Sequence, residues 1–409
     1  MLKAGYKTAG FGKTHWYCGV PDEHDDSKLP NPKPSLRGFQ VRAESVKVDP
    51  LSNEPDGDIM EIEDPEAMAN NDKENEGIRT GGENALGYLG LDSNFDPKRH
   101  LDGWLTQKTL QYFSDFKKGE QPFFVYLSLI KPHAALNVPK KFVDLYDIDD
   151  IQLPQNPTPE EKIDDHYIQP RNVEEWKTWR DTFSEEQQKK SILRYYASCS
   201  FIDDLIGQVI DKIEDIGELD NTFIVFTSDH GDMLGERYKF SKYCLYEGSV
   251  RVPLILAGAG IEKDKQGIVD QRCCSLIDIL PTLLVQGNIK IDPQFCGHNL
   301  LADPESIGSF SELHGSGYHE TEKAPAVMWR TKAWKLILYL PGEFIKLDSK
   351  LDEFKGELYS LEQDPKEIDN LYKHPDHLAI REKLTRHLLL HMTIAWSRYP
   401  RHYSYTDIY

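Results

Sequence analysis

The residues Ser228-Asp229-His230-Gly231-Asp232, followed closely by Lys242, place carboxylate, imidazole and ammonium groups in one short stretch. A carboxylate there can bind a hard divalent cation, the imidazole can add a second ligand or polar contact, and the ammonium can hold a tetrahedral anion. Two other positions carry similar groups. Lys131-Pro132-His133 supplies an imidazole able to protonate a leaving oxygen. Gly10-Phe11-Gly12-Lys13-Thr14-His15-Trp16 sets Lys13 and His15 two apart, on one face of an extended segment. Each has a plainer alternative, as a turn cap for Asp-His-Gly, a loop histidine for His133 and a solvated side chain for Lys242. The glycines around Phe11 match neither the dinucleotide fingerprint nor the phosphate-binding P-loop.

Such groups need elements to hold them. The run Thr222-Phe223-Ile224-Val225-Phe226 predicts a strand covered on both faces, so Asp229 and His230 emerge at the carboxyl edge of a sheet, where α/β proteins bind ligands. Phe123 to Ile130 predicts a second strand, ending at Lys131-Pro132-His133. Apolar positions Ile192, Tyr196, Cys199, Ile202, Ile206, Val209, Ile210 and Ile213 recur at three and four residues, predicting one helix from Gln187 to Glu214. Val252 to Ala257 reads as a short strand, and Asp278 as the cap of a helix reaching Leu284 with Pro281 in its first turn. Strands alternating with helices predict an α/β fold, with a largely parallel central sheet and helices on both faces.

Beyond about Tyr318 the pattern changes. Ala326 to Thr331 and Trp334 to Tyr339 form a predicted hairpin, Glu357 to Leu361 another strand, and Leu378 to Trp396 a closing helix. The expected organisation is an α/β domain over 1–320, with an acidic insertion at about 21–102, and a smaller carboxy-terminal α+β subdomain with an antiparallel sheet over 321–409. The acidic stretch Glu54 to Glu83 has little periodicity and reads as a surface insertion.

A chain of 409 residues with net charge -20 can bury a large core, and it lacks the basic excess that steers proteins to nucleic acid. No stretch approaches the roughly 18 apolar residues of a membrane span. The six cysteines show no metal-site spacing, and Met1 to Tyr6 lack the apolar core of a secretory signal.

Taken together, Gly5-Tyr6-Lys7-Thr8-Ala9 through Trp16, Lys131-Pro132-His133, Ser228 through Glu236, Lys242, Arg251-Val252-Pro253-Leu254 and Gly356-Glu357-Leu358-Tyr359-Ser360-Leu361 through Asp364-Pro365 resemble the type I sulfatases of the alkaline-phosphatase superfamily. The Lys-Pro-His and Asp-His pairs look most like iduronate-2-sulfatase and choline-sulfatase relatives. The resemblance implies a formylglycine nucleophile made from Cys or Ser, a calcium ion that polarises the sulfate, and a sulfated small molecule or saccharide as substrate. It places Asp229 and His230 on the calcium side, Lys13 and His15 around the formylglycine, and His133 and Lys242 on the sulfate and leaving oxygen. Family members are often exported.

The same family carries two adjacent acidic calcium ligands and a Cys/Ser-x-Pro/Ala-x-Arg signature ahead of the position of Lys13. Neither precedes Lys13 here, and no cysteine matches the signature, Cys18 being followed by Gly19-Val20-Pro21-Asp22. The expectation is an amino-terminally incomplete sulfatase with little or no turnover of its own. The alternatives are a phosphonate or phosphate ester hydrolase of the same superfamily and an inactive anion-binding homologue.

Overall fold

The computed structural model describes residues 1–13, 39–43, 64–80, 90–119, 121–156, 183–242, 244–292, 295–302, 308–313, 326–339 and 355–397. The described residues of Met1–Leu153 and Asp181–Thr222 form one compact unit, and those of Pro154–Arg180 and Phe223–Tyr409 a second.

In the first unit β1 (Lys7–Gly12) lies between β2 (Val41–Ala43) and β4 (Phe123–Ser128), parallel to both. A second parallel pair joins β3 (Leu91–Ser93) to β5 (Asn137–Pro139). Helices α1 (Pro65–Thr80), α2 (Leu101–Ser114), α3 (Lys140–Val143) and α4 (Glu185–Asp215) complete it. α2 lays Leu101, Trp104 and Leu105 against Ala9 and Phe11 of β1. α4 opens with a capping box, in which Ser184 Oγ accepts from Gln187 N at 3.2 Å and the Gln187 side chain accepts from Ser184 N at 2.8 Å. Its buried stripe of Ala197, Phe201, Ile202 and Leu205 packs on Val138 and Phe142. The helix forms as predicted, but its covered face is shifted from the pattern read from the sequence: Ile192, Ile202 and Ile213 are buried, whereas Tyr196 and Cys199 are exposed.

Two helices depart from the sequence reading. The acidic stretch expected as an irregular surface insertion holds α1, whose apolar stripe is nearly absent and which is tied down instead by Asn71 Nδ2 donating to Arg99 O at 3.2 Å. The period of α2 is masked because its buried face includes Asp102, Thr106 and Thr109.

The second unit starts with β6 (Phe223–Thr227) and continues through α5 (Glu247–Val250), β7 (Leu254–Gly258) and α6 (Ile279–Gln286). β7 pairs antiparallel with β6, and all five β6 residues are half-buried rather than covered on both faces. Antiparallel pairs tolerate a wet face in a way that parallel sheets do not. Asp278 stands at the N-cap position of α6, as read from the sequence, but its side chain makes no capping bond to the helix. Its carboxylate accepts from Ser275 N and His298 N, each at 2.8 Å, and so fixes the turn before the helix.

The carboxy-terminal sheet is antiparallel, in the order β11-β10-β9-β8, from β8 (Ser309–Leu313), β9 (Ala326–Arg330), β10 (Trp334–Tyr339) and β11 (Lys355–Ser360). Strand alternation sends Val327, Trp329, Leu336, Leu338 and Leu358 to one face, where Leu384 and Leu388 of α7 (Leu378–Ser397) cover them. Met328, Ile337 and Tyr359 point the other way, onto Met233, Leu245 and Tyr246. The parallel α/β part with an antiparallel carboxy-terminal sheet and closing helix is the predicted fold class, with β8 added to it. Among the described residues no helix is long and apolar enough to cross a membrane.

Candidate functional site

In the first unit, Lys13 and His133 follow the carboxyl ends of two paired parallel strands. β1 and β4 are in register to the end, Gly12 opposite Ser128, and Lys13 N donates to Ser128 O at 3.1 Å. Gly12 makes this possible, since its φ is +94° and a Cβ there would lie 1.9 Å from Ser128 O. Beyond β4 the chain turns, with His133 N donating to Ile130 O at 3.0 Å and His133 half-buried. His15 and Cys18 lie outside the described residues.

Two buried charges hold the His133 loop, and sequence reasoning assigned neither a role. Asp102, 0% exposed at the start of α2, accepts from Ile130 N at 2.5 Å and Lys131 N at 3.2 Å. Lys131, 7% exposed, sends Nζ to Ala135 O at 2.5 Å and His133 O at 3.3 Å. One residue therefore fixes the amides before His133 and the other the carbonyls at and after it. Burial raises the Asp102 carboxyl above the usual range, opposed by Lys131, by the two amides and by Lys13. Burial likewise lowers the Lys131 ammonium to about 8, against the pull of Asp102 and Glu74. The Lys-Pro-His motif was the available signal for Lys131; Asp102 had none beyond its place ahead of an apolar run.

In the second unit, Asp229 and His230 follow β6. The Asp229 side chain is 69% exposed, and its Oδ1 accepts from His230 N at 3.1 Å. His230 Nδ1 lies 2.8 Å from Gly231 O, which accepts only if Nδ1 carries the proton. In the neutral ring Nε2 is then the acceptor nitrogen, 3.7 Å from Asp229 Oδ2. A backbone carbonyl on the second nitrogen is how metal-binding imidazoles are commonly oriented.

Asp232 shapes the rest of the loop. Its Oδ1 accepts from Leu234 N and Ser241 N, both at 3.0 Å, while Met233 N donates to Ser241 O at 3.0 Å. The loop closes on itself, and Lys242 emerges beside Asp232, whose carboxyl burial pushes up while the two amides and Lys242 pull it down. Gly231 fits because it has no side chain: its N donates to Ser249 O at 2.8 Å, and a Cβ would stand 2.1 Å from Gly248 O. Gly231→Ala is expected to displace the 229–232 backbone and to cost about 1–3 kcal/mol, read as a lower urea midpoint with an unchanged slope.

The Sulfatase family model matches residues 1–289, and a carboxy-terminal N-sulphoglucosamine sulphohydrolase model matches 235–393. The chain belongs to the sulfatase family, and its fold is the alkaline-phosphatase-like α/β fold of that family. An arylsulfatase from Clostridium perfringens is 28% identical over 292 residues, 69% of this chain and 57% of that protein. The chain thus spans little more than half of that relative. Among solved structures, a phosphonate monoester hydrolase from Silicibacter pomeroyi superposes with a TM-score of 0.70 at 20% identity, covering 97% of this chain and 79% of that one. A protein solved with its substrate D-glucosamine-2-N,6-O-disulfate gives 0.60 at 18% identity, covering 98% and 82%.

Proposed function

We propose that this protein acts on a sulfate ester of a saccharide. The observation that carries the reading is that, within a sulfatase-family chain, His133 and the Asp229–Lys242 segment each follow the carboxyl end of a strand, β4 and β6. Sulfate-ester cleavage needs charge neutralised on the nonbridging oxygens and a proton for the departing alkoxide. Lys242 suits the first task, as a point cation held by a closed loop. His133 suits the second, as a half-buried imidazole on a clamped backbone.

Calcium fits this donor set in part. Asp229 offers the exposed hard carboxylate oxygen that calcium prefers, whereas a ring nitrogen is a poor calcium ligand, so His230 serves better as a polar contact beside the ion. Bound there, calcium would lower the charge on the sulfate oxygens. Among the described residues no group of three or more His, Cys, Asp or Glu side chains gathers as a metal cage, so Asp229 would be one ligand of several. Lys13 and His15 are assigned to a formylglycine, whose Cys/Ser signature the 409-residue sequence does not contain. The polypeptide should therefore bind sulfated ligands and turn them over little.

Calorimetry with D-glucosamine disulfate, with and without calcium, tests this. Binding should strengthen with calcium, and Asp229→Asn and Lys242→Ala should each weaken it about tenfold or more, the scale of losing one charge-assisted contact. Tighter binding of a phosphonate monoester would favour the second reading, for which the likeness to the phosphonate monoester hydrolase is the support. Calcium-independent binding would favour an inactive anion-binding homologue. Aryl sulfate hydrolysis at rates ordinary for enzymes would overturn the low-turnover expectation.

A further inference from the structure

The Asp229–Lys242 segment is gripped at two places by one buried ionic network, and the hub of that network is Glu367. Glu367 is 2% exposed and touches three elements. Its Oε2 accepts from Glu247 N at 2.7 Å, its Oε1 lies 2.7 Å from Lys335 Nζ, and its backbone carbonyl accepts from Arg237 Nη1. Lys335 reaches the same region from β10, where strand alternation turns it onto the loop side of the sheet, with Nζ 2.7 Å from Glu247 Oε1 and 3.1 Å from Leu245 O. Arg330 closes the set, its Nη2 lying 3.0 Å from Glu247 Oε2.

The first grip runs through α5. Glu247 anchors that short helix from Lys335, Arg330 and Glu367, and the helix holds Gly231 through Ser249 O. The second runs through Arg237, whose guanidinium lies 4.0 Å above the Tyr246 ring. Arg237 N donates to Asn156 Oδ1 at 2.5 Å, and Asn156 Nδ2 donates to Gly235 O at 2.8 Å. Beneath it, Glu357 accepts from the hydroxyls of Tyr246 at 2.9 Å, Tyr339 at 2.7 Å and Tyr359 at 2.5 Å. Arg237, Arg330 and Lys335 balance Glu247, Glu357 and Glu367, which is the condition under which such groups can stay buried.

We infer that Glu367, acting with Lys335, is a positioning residue: it sets the backbone of residues 231–239 and through it the placement of Asp229, His230 and Lys242. The carboxy-terminal sheet thus takes part in the functional loop rather than only capping the fold. Any consequence for sulfate binding rests on the proposed function; the positioning itself does not.

Hydrogen exchange by mass spectrometry on the full chain separates the two. In Glu367→Ala and in Lys335→Met, peptides covering 229–242 should exchange about tenfold faster or more, the scale expected when a buried charged hydrogen bond is lost. Peptides of β9, β10 and α7 should keep their rates, and Glu367→Gln, which retains an acceptor for Glu247 N, should recover part of the protection. Glu367→Gln against wild type carries the test should the other variants fail to fold. Unchanged exchange in 229–242, or equal acceleration in the sheet strands, would overturn the inference. Calorimetry on the same samples then reads function: wild type that binds no sulfated ligand would sink the sulfatase reading and leave the positioning result standing.

Discussion

Asp102→Ala is expected to lower the stability of the first unit by about 3–5 kcal/mol, the combined cost of leaving two buried amides without an acceptor and a buried ammonium without its nearby counter-charge. The carboxylate is fully buried, so no water stands ready to replace it. Its loss strands the amides of Ile130 and Lys131, and leaves the Lys131 ammonium to the half-buried Glu74 and two carbonyls. In a unit of this size that is a drop of roughly 10 °C in unfolding temperature. Asp102→Asn retains shape and one acceptor but turns an amide group toward the second N–H, so it should fall between wild type and alanine. Urea titration of the three proteins, followed by circular dichroism, checks the order. A loss under about 1 kcal/mol for alanine would mean that the clamp around His133 is not what holds this loop.

That clamp also shows where sequence reasoning reached its limit. The α4 helix, the strands ending at His133 and Asp229, and the carboxy-terminal hairpin were legible because apolar residues recur there at the period of the element. That Lys13, His133, Asp229 and His230 would follow strand ends was legible too. Asp102, Lys131, Lys335, Glu247 and Glu367 were not. Each is a charged residue in the interior, and hydrophobic patterning treats such a residue as surface. Their partners lie far away in sequence, as Glu247 and Arg330 do, so no local spacing announces them. α1 was hidden for the opposite reason, an acidic sequence with almost no apolar face whose anchoring falls to Asn71. The pairing of β6 with β7 was misread because a continuous β-branched run suits either a buried parallel strand or a half-buried antiparallel one.

Acid should weaken the first unit through His100 before it titrates most of the carboxylates. The ring is 2% exposed, sits edge-to-face on Phe201 with centroids 5.0 Å apart, and caps α2 by accepting from Asp102 N at 3.3 Å through Nδ1. Burial, helped by the nearby Lys131 charge and opposed by the Asn137 backbone, lowers its pKa from 6.5 to about 3. The unfolded chain therefore binds one more proton than the folded one between those values. The stabilisation is complete above pH 6.5 and is lost as the pH falls toward 3. The slope approaches about 1.4 kcal/mol per pH unit, or roughly 3 kcal/mol between pH 7 and 4. Asp102 works in the opposite sense: its raised pKa makes the folded state take up a proton first, which favours folding as the pH falls. The His100 contribution is therefore read by difference. His100→Asn keeps a capping acceptor and removes the titration. Its stability, lower at pH 7 because of the cavity it leaves, should fall less steeply than that of wild type as the solution is acidified. Parallel profiles for the two proteins would mean that His100 takes up its proton inside the folded state, with Asp102, 3.8 Å from Nδ1, as the counter-charge.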